Sequence, residues 1–219
     1  MMCEVGSGPM HRRARASPCC PLPSLTQRFN LRSTQRRLSA LDLRMGRILI
    51  AGMGNVLRGD DGFGVEVARR LAEREEPLLA AEHGHVTVLE VGIGGIHLAQ
   101  ELMAGYDLLV VVDAMERGSA PGTVHILEAE VADLAAWPET DRQDFLADMH
   151  YATPSKALIL AKALGCLPPK VFIVGCQPLD VSDLGIGLSA PVERATLVTI
   201  GEIEKIIRST QPAKVEGRE

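Results

Sequence analysis

The fold is decided by the stretch "RILIAGMGNVLRGDDGFGVEVARRLAERE", residues 47–75. It opens on an apolar run, 47–54, that closes in glycines at positions 52 and 54, which is typical of a buried strand entering a tight turn. From Gly64 onward the apolar residues recur at helical spacing. The stretch therefore predicts a buried strand, a short loop and a helix over 64–75.

The chain beyond residue 75 continues the same alternation. Further strands are predicted over 85–92, 106–114, 122–130 and 169–178, and further helices over 95–105, 155–164 and 190–209. The run 106–114 is apolar on both faces, as a central parallel strand requires, whereas 122–130 follows a Pro-Gly turn and suits an antiparallel edge strand. Repeated β-α-β units predict an α/β three-layer sandwich, in which a mainly parallel twisted sheet carries helices on both faces.

Composition restricts the class of protein. The 219 residues are 46% apolar and 23% charged, as in one globular domain. No run approaches the roughly 18 apolar residues of a membrane-spanning helix, so no membrane partner is expected. Residues 1–46 hold eight arginines against Glu4 and Asp42, which leaves 15 basic and 26 acidic residues, a net charge of −11, in the remainder. Nucleic acid is disfavoured as a partner because phosphate contacts need lysine and arginine.

The first 45 residues differ from the rest. They are rich in Pro, Ser and Arg and have no periodicity, which predicts a disordered arm that is not part of the functional chain; an Arg-rich transit-like segment is the alternative. A single domain over 46–209 and a loose tail over 210–219 follow. The five cysteines lack metal-ligand spacing and a disulfide framework, so a reducing, cytoplasmic setting is expected, with Cys166 and Cys176 as packing residues.

The loop "GMGNVLRGDDGFG", residues 52–64, resembles a phosphate-binding turn but carries the wrong charge. Leu57 stands where a dinucleotide fingerprint needs its third glycine, and no Gly-Lys-Ser/Thr follows. Asp60 and Asp61 occupy the helix N-terminus, where they would repel a bound polyphosphate. A cation or metal centre suits this loop better. Asp60 is predicted to cap the helix, since aspartate is favoured there, and Asp61 to act as a ligand.

Other polar residues follow other strands and converge on the same expected place. Ligands of α/β sheets bind beyond the carboxyl ends of the strands, where Glu90, Asp113 and Gln177 are expected. Asp113 closes the most apolar strand, so its charge needs either a cleft or backbone hydrogen bonds. His150 precedes the helix over 155–164. Two carboxylates with one imidazole suit Zn, Mn, Ni or Fe at a site with open positions.

Four segments in order along the chain resemble the hydrogenase maturation endopeptidases. These enzymes trim a C-terminal extension from the large subunit of nickel–iron hydrogenases. The resemblance spans about residues 47–207. The segments are "GMGNVLRGDDGFG" (52–64), "VVDAMERGSAPGTV" (111–124), "MHYATPSKALILAKALG" (149–165) and "GIGLSAPVERA" (185–195).

The resemblance implies both the site and the partner. By position, Asp61, Asp113 and His150 would be the catalytic and metal-binding residues, with Asp60, Glu90 and Asn55 in support. No permanently bound cofactor is expected: the nickel belongs to the substrate, the nickel–iron hydrogenase large-subunit precursor, and Cd or Zn would occupy the site in vitro. An aspartic-type label is attached to such enzymes, although the pepsin-like paired-aspartate pattern is absent here.

Two other functions remain open at this stage. One is a non-catalytic chaperone for nickel or for the large subunit, and the other is a peptidase of related fold that acts on another protein. In the peptidase case water is activated either by the metal as a Lewis acid or by a carboxylate as a general base, and the sequence leaves both routes open.

Overall fold

The structure, a computed structural model, describes residues 46–74, 84–147, 153–182 and 184–210. The predicted arm over 1–45, residues 211–219 of the predicted tail and His150 lie outside these ranges, whereas Thr210, expected in the tail, ends the last helix. The strands are β1 Arg47–Met53, β2 His85–Gly92, β3 Leu108–Ala114, β4 Val124–Glu128 and β5 Lys170–Cys176. The helices are α1 Phe63–Ala72, α2 Gly95–Leu102, α3 Glu139–Ala147, α4 Pro154–Ala163 and α5 Ala190–Thr210.

The five strands form one sheet in the order β2-β1-β3-β5-β4. All neighbouring pairs are parallel except β4 and β5, which run antiparallel. The predicted α/β fold is confirmed, including the antiparallel edge strand after the Pro-Gly turn. Within the described ranges, no helix is long and apolar enough to cross a membrane.

Helix α3 was not expected from the sequence. It buries only Phe145, whose ring meets Trp137 edge-on with 5.7 Å between centroids. A helix with one buried residue has no apolar stripe, and that stripe is the signal by which a helix is recognised in a sequence.

The sheet buries an apolar layer on each face. On one face, Val110 and Val112 of β3 pack with α1 and α5, and we call it the α1/α5 face. On the other, Leu109 and Val111 pack with α2 and α4, and we call it the α2/α4 face. Because side chains alternate along a strand, Asp113 belongs to the α2/α4 face.

Glycines bring α1 unusually close to the sheet. A Cβ added at Gly52 would lie 2.2 Å from the backbone oxygen of Gly64, and one at Gly64 would lie 2.0 Å from that of Val112. Any side chain at either position would therefore push the helix away from β1 and β3. This close packing fixes the loop between β1 and α1 at the carboxyl edge of the sheet.

Candidate active site

Asp61 and Asp113 meet at the carboxyl edge of β1 and β3, and Gly54 lies between them. Gly54 has a φ of +119°, and a Cβ there would lie 1.8 Å from the backbone oxygen of Asp61 and 3.4 Å from Oδ1 of Asp113. Any larger residue would separate the two aspartates. The glycine at position 54 thus lets the backbone of the loop at Asp61 come close to the strand-end carboxylate of Asp113.

The surroundings of Asp113 disfavour the charged form of its carboxyl group. The pKa of the Asp113 carboxyl is raised from 3.8 to about 7, mainly because the group is shielded from water. The backbone N–H of Ala114 donates to Oδ1 over 2.9 Å and partly offsets this rise, whereas the charge of Asp61 contributes to it. Near neutral pH this carboxyl exchanges its proton readily. An incoming cation would stabilise its charged form.

Asp61 is half-buried and is positioned by Asn55. The backbone N–H of Asn55 donates to Oδ2 of Asp61 over 3.2 Å. The side-chain oxygen of Asn55 in turn accepts a hydrogen bond from the backbone N–H of Leu57 at 3.0 Å. The backbone carbonyl of Asn55 accepts one from the backbone N–H of Arg58, also at 3.0 Å. Asn55 therefore shapes the loop and fixes the direction of the Asp61 carboxylate.

Asp60 is not the helix cap that the sequence predicts. It lies inside a short 3-10 turn, Gly59–Gly62, while α1 begins after Gly62 with no side-chain cap. The Asp60 side chain is 1% exposed. Its Oδ1 accepts from Ser189 N at 2.7 Å, and its Oδ2 accepts from Leu179 N and Ser189 Oγ, both at 2.8 Å. Asp60 thus fastens the connection between β5 and α5 rather than the helix.

Glu90 lies on the other face of the sheet. It is in register with Gly52 and, through β1, with Val112, so its side chain points to the α1/α5 face. There its Oε2 lies 3.9 Å from Nη2 of Arg69 on α1. The structure does not bring Glu90 to Asp61 and Asp113, and a supporting role for it stays a prediction.

Gln177, which also follows a strand, organises the loop after β3. Its buried side-chain oxygen accepts from the backbone N–H of Arg117 at 2.6 Å and of Ser119 at 3.3 Å. These bonds hold the residues that follow Asp113 and Ala114. The sequence indicated the strand-end position of Gln177 but not these two partners.

The third predicted ligand, His150, lies outside the described residues. Helix α4 begins at Pro154, with Thr153 as its N-cap, and packs on the α2/α4 face that also carries Asp113. Within the described ranges, no group of three His, Cys, Asp or Glu side chains is placed to hold a metal ion. The described part of the site is therefore a pair of carboxylates, which can hold a cation or accept a proton from water.

Known proteins with this fold point to one activity. Residues 65–206 match the family model described as hydrogenase maturation protease. The hydrogenase expression/formation protein HupD of Rhizobium leguminosarum bv. viciae is 31% identical over 163 residues, which is 74% of this chain and 75% of that one. The chain belongs to the hydrogenase maturation protease family. It is therefore a peptidase, and so a hydrolase.

Solved structures of hydrogenase maturation proteases share the architecture. The hydrogenase maturating endopeptidase HybD from E. coli superposes with a TM-score of 0.57 at 28% identity, covering 75% of this chain and 93% of that one. The hydrogenase 2 maturation peptidase from Thaumarchaeota archaeon SCGC_AB-539-E09 gives a TM-score of 0.53 at 28% identity, covering 74% and 98%. The three-layer sandwich thus belongs to other peptidases of this kind.

Proposed function

We propose that this peptidase removes the C-terminal extension of a nickel-loaded hydrogenase large-subunit precursor and recognises the precursor through its nickel. The observation that carries the proposal is the closeness of Asp61 to a half-buried, poorly solvated Asp113 at the sheet edge. Neither carboxylate has a basic partner in the described residues, so a cation brought by the substrate would supply the missing charge.

Nickel recognition would act mainly through position. Nickel of the substrate, held by Asp61, Asp113 and His150, would fix the scissile peptide bond beside the two carboxylates, and proximity of this kind lowers the barrier. Precursor without nickel would bind in no defined register. The enzyme would therefore cut only a precursor that has received its metal.

Proton transfer is the second role of the aspartates. Nickel favours the charged form of Asp113, so its arrival would displace the proton that this carboxyl holds at neutral pH. A carboxylate oxygen of Asp61 or Asp113 that does not coordinate the nickel could then take a proton from the attacking water. Asp61 and Asp113 are also the residues on which an aspartic-type classification would rest. Cys166 and Cys176, both free thiols, are compatible with a reaction in the reducing cytoplasm.

The direct test is cleavage of purified precursor, followed by the loss of mass of its C-terminal extension. We expect cleavage of the nickel-loaded precursor, none of the nickel-free precursor, and none of either by Asp61→Asn or His150→Ala. Asp144→Asn, on the exposed side of α3, is the matched control and should cleave normally. Cleavage that survives Asp61→Asn or His150→Ala would contradict the site, and nickel-dependent binding without cleavage would indicate a chaperone.

A further inference from the structure

Three large apolar side chains are exposed beside the active site. Leu57, in the loop between β1 and α1, is 56% exposed. Leu184 and Ile186, in the connection between β5 and α5, are 87% and 90% exposed. We call Leu57, Leu184 and Ile186 together the docking ridge. Asp183 lies outside the described residues and is not part of it.

The backbone holds the two loops of the docking ridge together. Gly59 N donates to Gly185 O over 2.8 Å, and Gly185 N donates to Leu57 O over 2.9 Å. The resulting parallel bridge pairs Arg58 with Gly185 and so places Leu57 beside Leu184. The apolar side chains therefore project from a backbone that is fixed on both sides.

Asp60 fastens the connection between β5 and α5 at both of its ends. One carboxylate accepts hydrogen bonds from Leu179, at the start of the connection, and from Ser189, at its end. A fully buried carboxylate with three donors is a strong fixture, because breaking it would leave a charge in an apolar place. Asp60 thus acts as a positioning residue for the docking ridge.

The exposure of the docking ridge to water indicates a binding role. Isolated apolar residues are ordinary on protein surfaces, but a group of them held side by side marks an interaction site. The docking ridge is tied to the candidate active site, since Leu57 N donates to the Asn55 side chain and Asn55 N donates to the Asp61 carboxylate. A substrate bound at Asp61 would therefore lie close to Leu57, four residues away in the same loop.

We propose that the docking ridge binds an apolar surface of the hydrogenase large-subunit precursor and aligns it with Asp61 and Asp113. The inference rests on the proposed function and adds to it where the protein part of the substrate is held. Nickel then reports that the precursor is loaded, whereas the ridge supplies affinity for the polypeptide. Removing large apolar side chains from water is the main favourable term in most protein–protein association, so covering the ridge would add to affinity.

The test compares two double variants, each of which replaces two exposed apolar side chains with serine. Leu184→Ser with Ile186→Ser removes two of the three side chains of the docking ridge, and Leu197→Ser with Val198→Ser, on the exposed side of α5, is the matched control. Cleavage rates of nickel-loaded precursor are measured against precursor concentration. We expect the ridge variant to raise KM by about tenfold or more with kcat within about twofold, and the control to change neither. An equal KM for the ridge variant and the control would overturn the proposal.

A binding measurement separates failure of the docking ridge from failure of the proposed function. If the wild-type protein does not cleave the precursor, the proposed function is wrong, and the ridge is judged by equilibrium binding of precursor to each variant. Weaker binding by the ridge variant alone supports the ridge. Unchanged binding, or no binding by the wild type, overturns it. Sedimentation that shows a wild-type dimer lost in the ridge variant would overturn it as well, by making the surface a self-interface.

Discussion

Two aspartates, Asp60 and Asp113, lie at the same edge of the sheet in contrasting surroundings. Asp60 is fully buried and accepts three hydrogen bonds from the connection between β5 and α5. Asp113, a strand away and also largely shielded from water, receives one backbone hydrogen bond, and its pKa is raised to about 7. The same side chain thus serves as a structural fastener in one place and as an unsatisfied charge in the other.

The difference teaches where to look for chemistry in this fold. A buried carboxylate with a full set of donors has nothing left to offer a ligand, because its charge is already stabilised. A poorly solvated carboxylate with one donor and a like charge nearby is stabilised when a cation or a proton binds to it. Asp60, with three donors, therefore serves the fold, whereas Asp113 is the better candidate for chemistry.

The largest expected effect is on cleavage by Asp113→Asn. This change keeps the shape of the side chain but removes its charge and its ability to accept a proton, so kcat/KM for nickel-loaded precursor should fall roughly 100- to 10,000-fold. The rate is measured by loss of the C-terminal extension, with the fold checked by circular dichroism. Cleavage near the wild-type rate would remove Asp113 from the site and with it the contrast to Asp60.

The next effect is on stability, through Asp60→Ala. The change leaves the donors of Leu179 and Ser189 without their acceptor, so the free energy of unfolding should fall by about 3 kcal/mol. Asp61→Ala, which loses one bond from Asn55 at a half-buried position, is the matched control and should cost about 1 kcal/mol. Urea unfolding measures both. Equal losses would show that the two neighbours do not differ in structural role.

A third effect depends on pH and concerns the stability of Asp113→Asn. The folded pKa of Asp113 lies above its ordinary value of 3.8, so its contribution to stability is full below pH 3.8 and is lost as pH rises through about 7. The variant should therefore exceed the wild type in free energy of unfolding by about 2–4 kcal/mol at pH 8, and by little at pH 4. Urea unfolding at both pH values is the measurement, and a difference that does not grow with pH would contradict it.

The smallest effect is expected from Glu90→Gln. The ion pair of Glu90 with Arg69 spans 3.9 Å, and both side chains are nearly half exposed, so its loss should change the free energy of unfolding by less than about 1 kcal/mol. Thermal unfolding checks this. A large fall in cleavage at unchanged stability would instead place Glu90 in contact with the substrate, despite its position on the α1/α5 face.

Much of the architecture is readable from local patterns. Apolar runs and glycines predict β1, β3 and β5 because a parallel strand is buried on both faces and shows this in its composition. The antiparallel β4 follows from its Pro-Gly turn. Helix α3 is missed because it buries Phe145 alone and has no apolar stripe. The location of the site follows as well, since the carboxyl ends of parallel strands meet at one edge.

The sequence by itself determined the α/β sandwich, the edge at which the site lies and the pairing of Asp61 with Asp113 as candidates. Only the tertiary structure decided that Asp60 is a fastener, because its partners Leu179 and Ser189 lie 119 and 129 residues away. It also decided that Glu90 faces Arg69, since the sequence of a strand does not reveal which helix covers which of its faces. Local patterns specify elements, but whether a charge is satisfied depends on what the fold brings beside it.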